Sequence, residues 1–403
     1  MYNLIFWILV TILLLSHFSG MLLESLNRKT WSDRVPEKLS DIIDQEDYSK
    51  SQKYYLANLN FGNIISTFNL LVILAVLFFF GFSILDRTIR DVTSNEILVS
   101  ILFFAVVGFT SGILSIPFSW YSTFVIEERF GFNRTTPKLF ASDLIRGWIL
   151  TAVIGTPLIW VITWFFYYAG PHFWVLIWVA VTLFSIFMNV FYSDIIVPLF
   201  NRQKKLEPGS LRSGIEDLAK KAGFRIHNIY TIDGSRRSTK SNAYFSGLGP
   251  RKRIVLYDTL IDDLTEEEVI AVLAHEIGHY RKRHSPMMLL AGIIQTGLLL
   301  FIFAQFSQNM LITEALGGSS ISFHLSLVGF LLIYSPVSLL ISIGFNYVSR
   351  ANEYAADRFA ADVYHPEYLA SALKKLSVKN LSNLNPHPLY VFFYYRTRRF
   401  STG

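Results

Sequence analysis

The sequence predicts a predominantly α-helical integral membrane protein with a small α+β domain, and three observations carry that prediction. Of 403 residues, 52% are hydrophobic and only 16% are charged, a balance too apolar for a soluble chain of this length. Seven apolar runs reach the roughly 20 residues needed to cross about 30 Å of hydrocarbon. They lie near residues 2–23, 64–85, 97–120, 147–168, 172–198, 286–307 and 323–347. Between the fifth and sixth runs, residues 199–285 break the apolar pattern with short β-prone runs and a helical signature. The chain has no cysteine, which removes disulfides, thiol nucleophiles and thiolate-held metals, so any metal must be bound by His and carboxylates.

Taken in order, the first run lacks a basic leading segment and a small-residue cleavage site before Glu24, and reads as a retained anchor. Of the 36 Lys+Arg, 34 fall in alternate connections and only Arg87 and Arg90 in the others. The positive-inside rule then places the N-terminus outside and residues 199–285 and 348–403 in the cytosol of a bacterial inner membrane or an ER-type membrane. Asn133-Arg134-Thr135 has the form of a glycosylation acceptor, but this topology puts it on the wrong side for use. The basic clusters Arg251-Lys252-Arg253 and Arg281-Lys282-Arg283 sit beside spans, where they meet anionic headgroups or solvate a face; nucleic acid is not an expected partner. The pattern divides the chain into a five-span membrane region (1–198), a cytosolic domain (199–285), two further spans (286–347) and a C-terminal helix with its tail (348–403).

Within the cytosolic stretch, Ser241 to Tyr257 holds two β-prone runs joined by Gly247-Leu248-Gly249-Pro250, a hairpin signature. Its first strand, around Asn242, Ala243 and Tyr244, could hold an extended peptide as an added strand through main-chain hydrogen bonds, without demanding a sequence. It could equally serve only to buttress the helix that follows.

That helix opens with a capping box, Thr265 with Glu268, and carries His275-Glu276-Ile277-Gly278-His279. Four residues advance a helix by about 400°, so His275 and His279 lie about 40° apart and can share one ion. Glu276 projects about 100° away, where it can reach a water without ligating. Two imidazoles on a zinc ion, with a carboxylate to take a proton from its water, are the parts of a metallohydrolase. A catalytic zinc wants a third protein ligand and an open position. Glu353, in the helix-compatible Ser349–Asp357, is the expected third ligand, and Asp357 one turn on is placed to hydrogen-bond the free ring nitrogen of a ligating His. His284 is a rival ligand, but five residues past His279 it faces elsewhere on the helix; His365 and His387 remain open as ligands.

The chain resembles the Ste24-type CAAX prenyl proteases, the integral-membrane branch of the M48 zinc metallopeptidases. The resemblance rests on the seven spans, Ile126-Glu127-Glu128-Arg129-Phe130-Gly131-Phe132-Asn133-Arg134-Thr135-Thr136, Ser241-Asn242-Ala243-Tyr244, His275 to His279 and Ser349 to Asp357. It implies helices that enclose a large intramembrane chamber capped by the zinc domain on the cytosolic side. It also implies a protein or prenyl-peptide substrate cut near its C-terminus in contact with membrane lipid, with His275, His279 and Glu353 as Zn2+ ligands and Glu276 as base. Two other readings compete: a weakened zinc-binding relative, and a membrane quality-control protease of the broader M48 group.

One departure bears on activity. Where the family continues Tyr-Ser-His-Pro-Pro, with a His and a later Arg held to steady the oxyanion, this chain reads Tyr395-Arg396-Thr397-Arg398-Arg399-Phe400-Ser401-Thr402-Gly403. Thr397 stands where the His is expected. A one-base deletion in a segment encoding Tyr-Ser-His-Pro-Pro-Val-Leu-Asp-Arg reproduces this ending throughout. The gene's +1 frame past Tyr395 tests that origin.

Overall fold

The structure is a computed structural model that describes residues 2–32, 34–223, 228–246 and 253–395. Seven helices among these residues are long and apolar enough to cross a membrane. They are α1 (Leu4–Arg28), α2 (Gln45–Phe78), α4 (Glu96–Tyr121, continued by a π-helical turn Ser122–Glu127), α5 (Pro137–Tyr168), α6 (Phe173–Ile195), α11 (His284–Phe306) and α13 (Phe323–Val363). Short helices α3 (Gly81–Arg90), α7 (Val197–Phe200) and α12 (Met310–Ala315) link them.

The expected second span, 64–85, divides in two. α2 starts far earlier, where the Asp44 side chain accepts from the Asp47 amide, and ends at Phe78; Phe80 is left-handed (φ 53°) and α3 follows. Hydropathy cannot register this turn, because Phe78, Phe79 and Phe80 are apolar on either side of it. The turn lets α3 bury Asp86 against Arg90 (2.9 Å) and His324 (2.7 Å), while Arg90 also grips Glu96 (2.7 Å). Buried charge persists where it is paired in this way.

Only 6–17% of the most apolar 18-residue window of each span is buried within the protein, as suits helices whose outer faces meet lipid. A cavity of about 600 Å3 between α2 and α4 is lined by Asn58, Ser111, Ser115 and Ser119, and one of about 480 Å3 between α1 and α2 by His17, Glu24 and Asn63. Polar side chains at membrane depth face such water-accessible space and not lipid.

The extramembrane domain is a four-stranded sheet, β1 (Gln203–Lys205), β2 (Asn228–Ile232), β3 (Ala243–Ser246) and β4 (Arg253–Tyr257), in the order β1-β2-β4-β3. β2 and β4 are parallel and the outer pairs antiparallel, so β3 forms an edge. The expected hairpin is the β3–β4 pair, with Tyr244 opposite Val255; its turn lies outside the described residues. α10 (Glu266–Arg281) packs against the sheet, with α8 (Ser210–Lys221) and α14 (Pro366–Lys379) packed on α10, in one core that includes Ile215, Leu256, Leu273 and Ala372, all 0% exposed. Two small helices, α9 (Asp258–Asp263) and α15 (Pro388–Tyr394), complete the chain.

Two features of the joint between the domain and the membrane helices bear on the site. α13 runs 41 residues without a break, so the segment bearing Glu353 continues the seventh span. Residues 234–240, which lead into β3, dock on the connection between α4 and α5. Arg237 forks onto Asp143 (2.8 and 3.1 Å), and Lys240 reaches Glu127 (3.0 Å) while lying over the Phe132 ring (4.4 Å). Much of the Glu127–Thr136 motif is spent on this joint.

Candidate metal centre

α10 is fixed at its N-terminus before it presents any chemistry. The Glu268 amide donates to Thr265 Oγ1 (3.3 Å) and the Thr265 amide to Glu268 Oε2 (3.0 Å), the capping box read from the sequence. The Glu268 carboxylate, buried, also accepts from Ser371 (2.6 Å) and Lys375 (2.8 Å) on α14.

One turn apart on α10, His275 and His279 bring their Nε2 atoms to 3.1 Å. α10 then crosses α13 at Gly278, where an added Cβ would lie 3.0 Å from both the Cα and the carbonyl oxygen of Ala356. The helices therefore touch backbone to backbone. This close crossing sets Glu353, one turn before Ala356, against both imidazoles: Oε2 is 3.6 Å from His275 Nε2 and Oε1 3.5 Å from His279 Nε2. Ligands about 2.05 Å from a tetrahedral ion stand about 3.3 Å apart; the two Nε2 atoms are 3.1 Å apart, each has a different oxygen of the Glu353 carboxylate within 3.6 Å, and one donor atom from each of the three residues lies within 4.8 Å of the others. The residues fit a four-coordinate cation with one position left open.

Asp357 Oδ1 lies 2.8 Å from His275 Nδ1, as the sequence spacing suggested. Burial pulls the His275 imidazole down, but hydrogen bonds to Asp357 and Glu353 outweigh it and hold the ring up at about 9. His279 is pulled down by burial and by the charge on His275. Glu276 is pushed up to about 7 by burial, against the pull of His275 and with the help of Glu353. The metal-free centre thus keeps one proton on His275 and a carboxyl poised near neutrality.

At the sheet edge, the Tyr257 amide donates to the Asn242 carbonyl (3.1 Å), which turns the next residue's amide and carbonyl toward the open side. That residue is Ala243, whose amide is held by Asn242 Oδ1 (2.9 Å). Ala243 Cβ packs into the core shared with α10, while Tyr244 turns to the opposite face, hydrogen-bonded to Ser193 at the end of α6.

Of the other histidines, His365 pairs with Glu367 (3.3 Å) and His387 accepts the Leu389 amide at the start of α15 (3.2 Å), so neither joins the trio. His284 differs from its sequence reading. The helix does not run on: Arg283 is left-handed (φ 59°), α11 begins at His284, and His284 Nδ1 lies 3.0 Å from His279 Nδ1. The sequence did carry signals of the break: the basic run Arg281-Lys282-Arg283, which suits a helix C-terminus, and Pro286, which falls in the first turn of α11.

Residues 26–202 match the model of the CAAX prenyl protease N-terminal region with five membrane helices, and residues 205–392 match peptidase family M48. The chain belongs to the M48 peptidases. Family membership makes it a metallopeptidase with a metal cofactor and a protein or peptide substrate, and with its seven apolar helices a multi-pass integral membrane protein. Among curated M48 relatives, it is 36% identical to CAAX prenyl protease 1 homolog of Arabidopsis thaliana, over 90% of this chain and 87% of that one. It is 32% identical to CAAX prenyl protease 1 of Saccharomyces cerevisiae, over 91% and 87%. The crystal structure of S. mikatae Ste24p superposes with a TM-score of 0.93 at 30% identity, covering 100% of this chain and 98% of that one. The fold is therefore that of the Ste24-type branch, seven membrane helices with a small mixed α+β domain.

Proposed function

We propose that this M48 peptidase is a zinc-dependent endopeptidase that cuts peptide bonds near the C-terminus of prenylated, CAAX-type proteins. The observation that carries the reading is the convergence of His275, His279 and Glu353, with donor atoms within 4.8 Å of one another, beside Glu276 on the same helix as the two histidines. Two imidazoles and a carboxylate with an open fourth position is the donor set of a hydrolytic zinc site. When bound, zinc supplies a Lewis acid that polarises the scissile carbonyl and brings water toward ionisation at neutral pH.

The chain's own residues do the rest. Glu276, ionised beside a bound cation, takes the water's proton at its carboxylate and returns it to the departing amine. Asp357 holds the proton on His275 Nδ1, which keeps Nε2 free to ligate. Ala243 offers an outward-facing carbonyl, and its amide when Asn242 Oδ1 gives it up, as the rung on which an extended peptide adds as a strand. Lys and Arg placement supports a cytosolic active site with the N-terminus outside. The prenyl preference rests on the names of the relatives.

The C-terminal departure at Arg396–Gly403 lies outside the described residues. Its substitution of Thr397 for the expected His favours a second reading, a zinc-binding relative of reduced activity, since loss of one oxyanion donor costs about 10²- to 10³-fold in rate. One assay separates the readings: hydrolysis of a farnesylated peptide and its unprenylated twin by purified protein, with and without chelator. Glu276→Gln should lower turnover by about 10²- to 10⁴-fold, and restoring the Ser-His-Pro ending should raise it. Turnover indifferent to both chelator and Glu276→Gln contradicts the proposal.

A further inference from the structure

On an uninterrupted helix His284 would face away from His279, five residues back. Instead the left-handed Arg283 resets the chain direction, and the first residue of α11 folds its ring back over the metal centre. His284 is 7% exposed, its ring centroid stands 5.1 Å from that of His279, and the two Nδ1 atoms are 3.0 Å apart with ring planes at 76°. Two nitrogens at that distance require one donor and one acceptor. His279 Nε2 faces His275 Nε2 and Glu353 Oε1, so an ion held there needs the Nε2 lone pair, which leaves the His279 proton on Nδ1.

We propose that His284 is a positioning residue that accepts the His279 Nδ1–H at its own Nδ1, fixing the tautomer and ring orientation in which His279 binds metal. The inference rests on the metal-centre reading above. It makes the two ligating imidazoles unequal: His275 is backed by a carboxylate, Asp357, and His279 by a neutral ring. His284 touches the nitrogen of His279 turned away from the ion position, so it supports a ligand and is not a fourth one.

The test compares His284→Phe, which keeps a ring without an acceptor, and His284→Asn, whose Oδ1 replaces the Nδ1 acceptor, with the unaltered full-length protein. Zinc affinity is read by competition with a chelating dye, ligand geometry by the visible spectrum of the Co2+-loaded protein, and folding by thermal unfolding of the metal-free protein. His284→Phe should weaken zinc binding by about 10- to 100-fold and change the cobalt spectrum while metal-free stability holds. His284→Asn should recover most of the affinity. The proposal is overturned if both variants bind zinc as the parent does, or if both lose it together with metal-free stability, which would mark His284 as packing only. Failure of the parent to take up one zinc would instead reject the centre itself.

Discussion

His275 shows how one residue joins electrostatics to metal binding. Its metal-free pKa of about 9 exceeds the ordinary histidine value of 6.5, so it must surrender a proton to ligate. Apparent zinc affinity should therefore rise as pH goes from about 7 to 9, with close to one proton released per ion. The sign for stability is opposite. A raised imidazole pKa stabilises the metal-free protein fully below pH 6.5, and that contribution is lost as pH climbs through about 9. Asp357→Asn should flatten both trends; a pH-independent affinity over this window would contradict the assignment. With Glu276 as the proposed base, its ionisation should set the acid limb of kcat/KM. Its value of about 7 belongs to the metal-free centre, and a bound cation lowers it, so the limb should fall at or below pH 7.

At the scale of elements, the decisive contact is the α10–α13 crossing. Gly278→Ala would gain up to about 1 kcal/mol of helix propensity. Its Cβ would meet backbone atoms of Ala356 at 3.0 Å, and overpacking of that kind costs about 1–3 kcal/mol. The clash wins because backbone cannot step aside as a flexible side chain does. Since the same crossing brings Glu353 to the imidazoles, zinc affinity should fall together with thermal stability; a variant with both unchanged would show that the helices have room. The sequence revealed the partners here but not the contact. His275, Glu276 and His279 followed from helical spacing and the Thr265–Glu268 cap, and Glu353 with Asp357 from a second four-residue interval. The basic run Arg281-Lys282-Arg283 and Pro286 mark a helix boundary nearby, but a left-handed residue other than Gly carries no compositional mark, so the direction in which His284 returns was not legible.

For the whole molecule, the seven spans were readable because apolar length is a one-dimensional property. The division of the second run at Phe80 was not, since three phenylalanines bridge it. The joint between domain and membrane was equally hidden: Arg237 and Asp143, or Lys240 and Glu127, are about a hundred residues apart and pair only in the folded chain. Orientation is testable by labelling, because the chain has no cysteine. A single Cys at Lys220, whose side chain is 76% exposed, should react from the cytosolic side, and one at Val92, 80% exposed, from the opposite side. The reverse pattern would invert the topology.

The most direct measurement is metal content by elemental analysis of protein purified without added zinc. The account predicts one zinc per chain, lost in Glu353→Gln and in His275→Ala but kept in Glu276→Gln. Zinc retained at full stoichiometry in Glu353→Gln and His275→Ala together would contradict it.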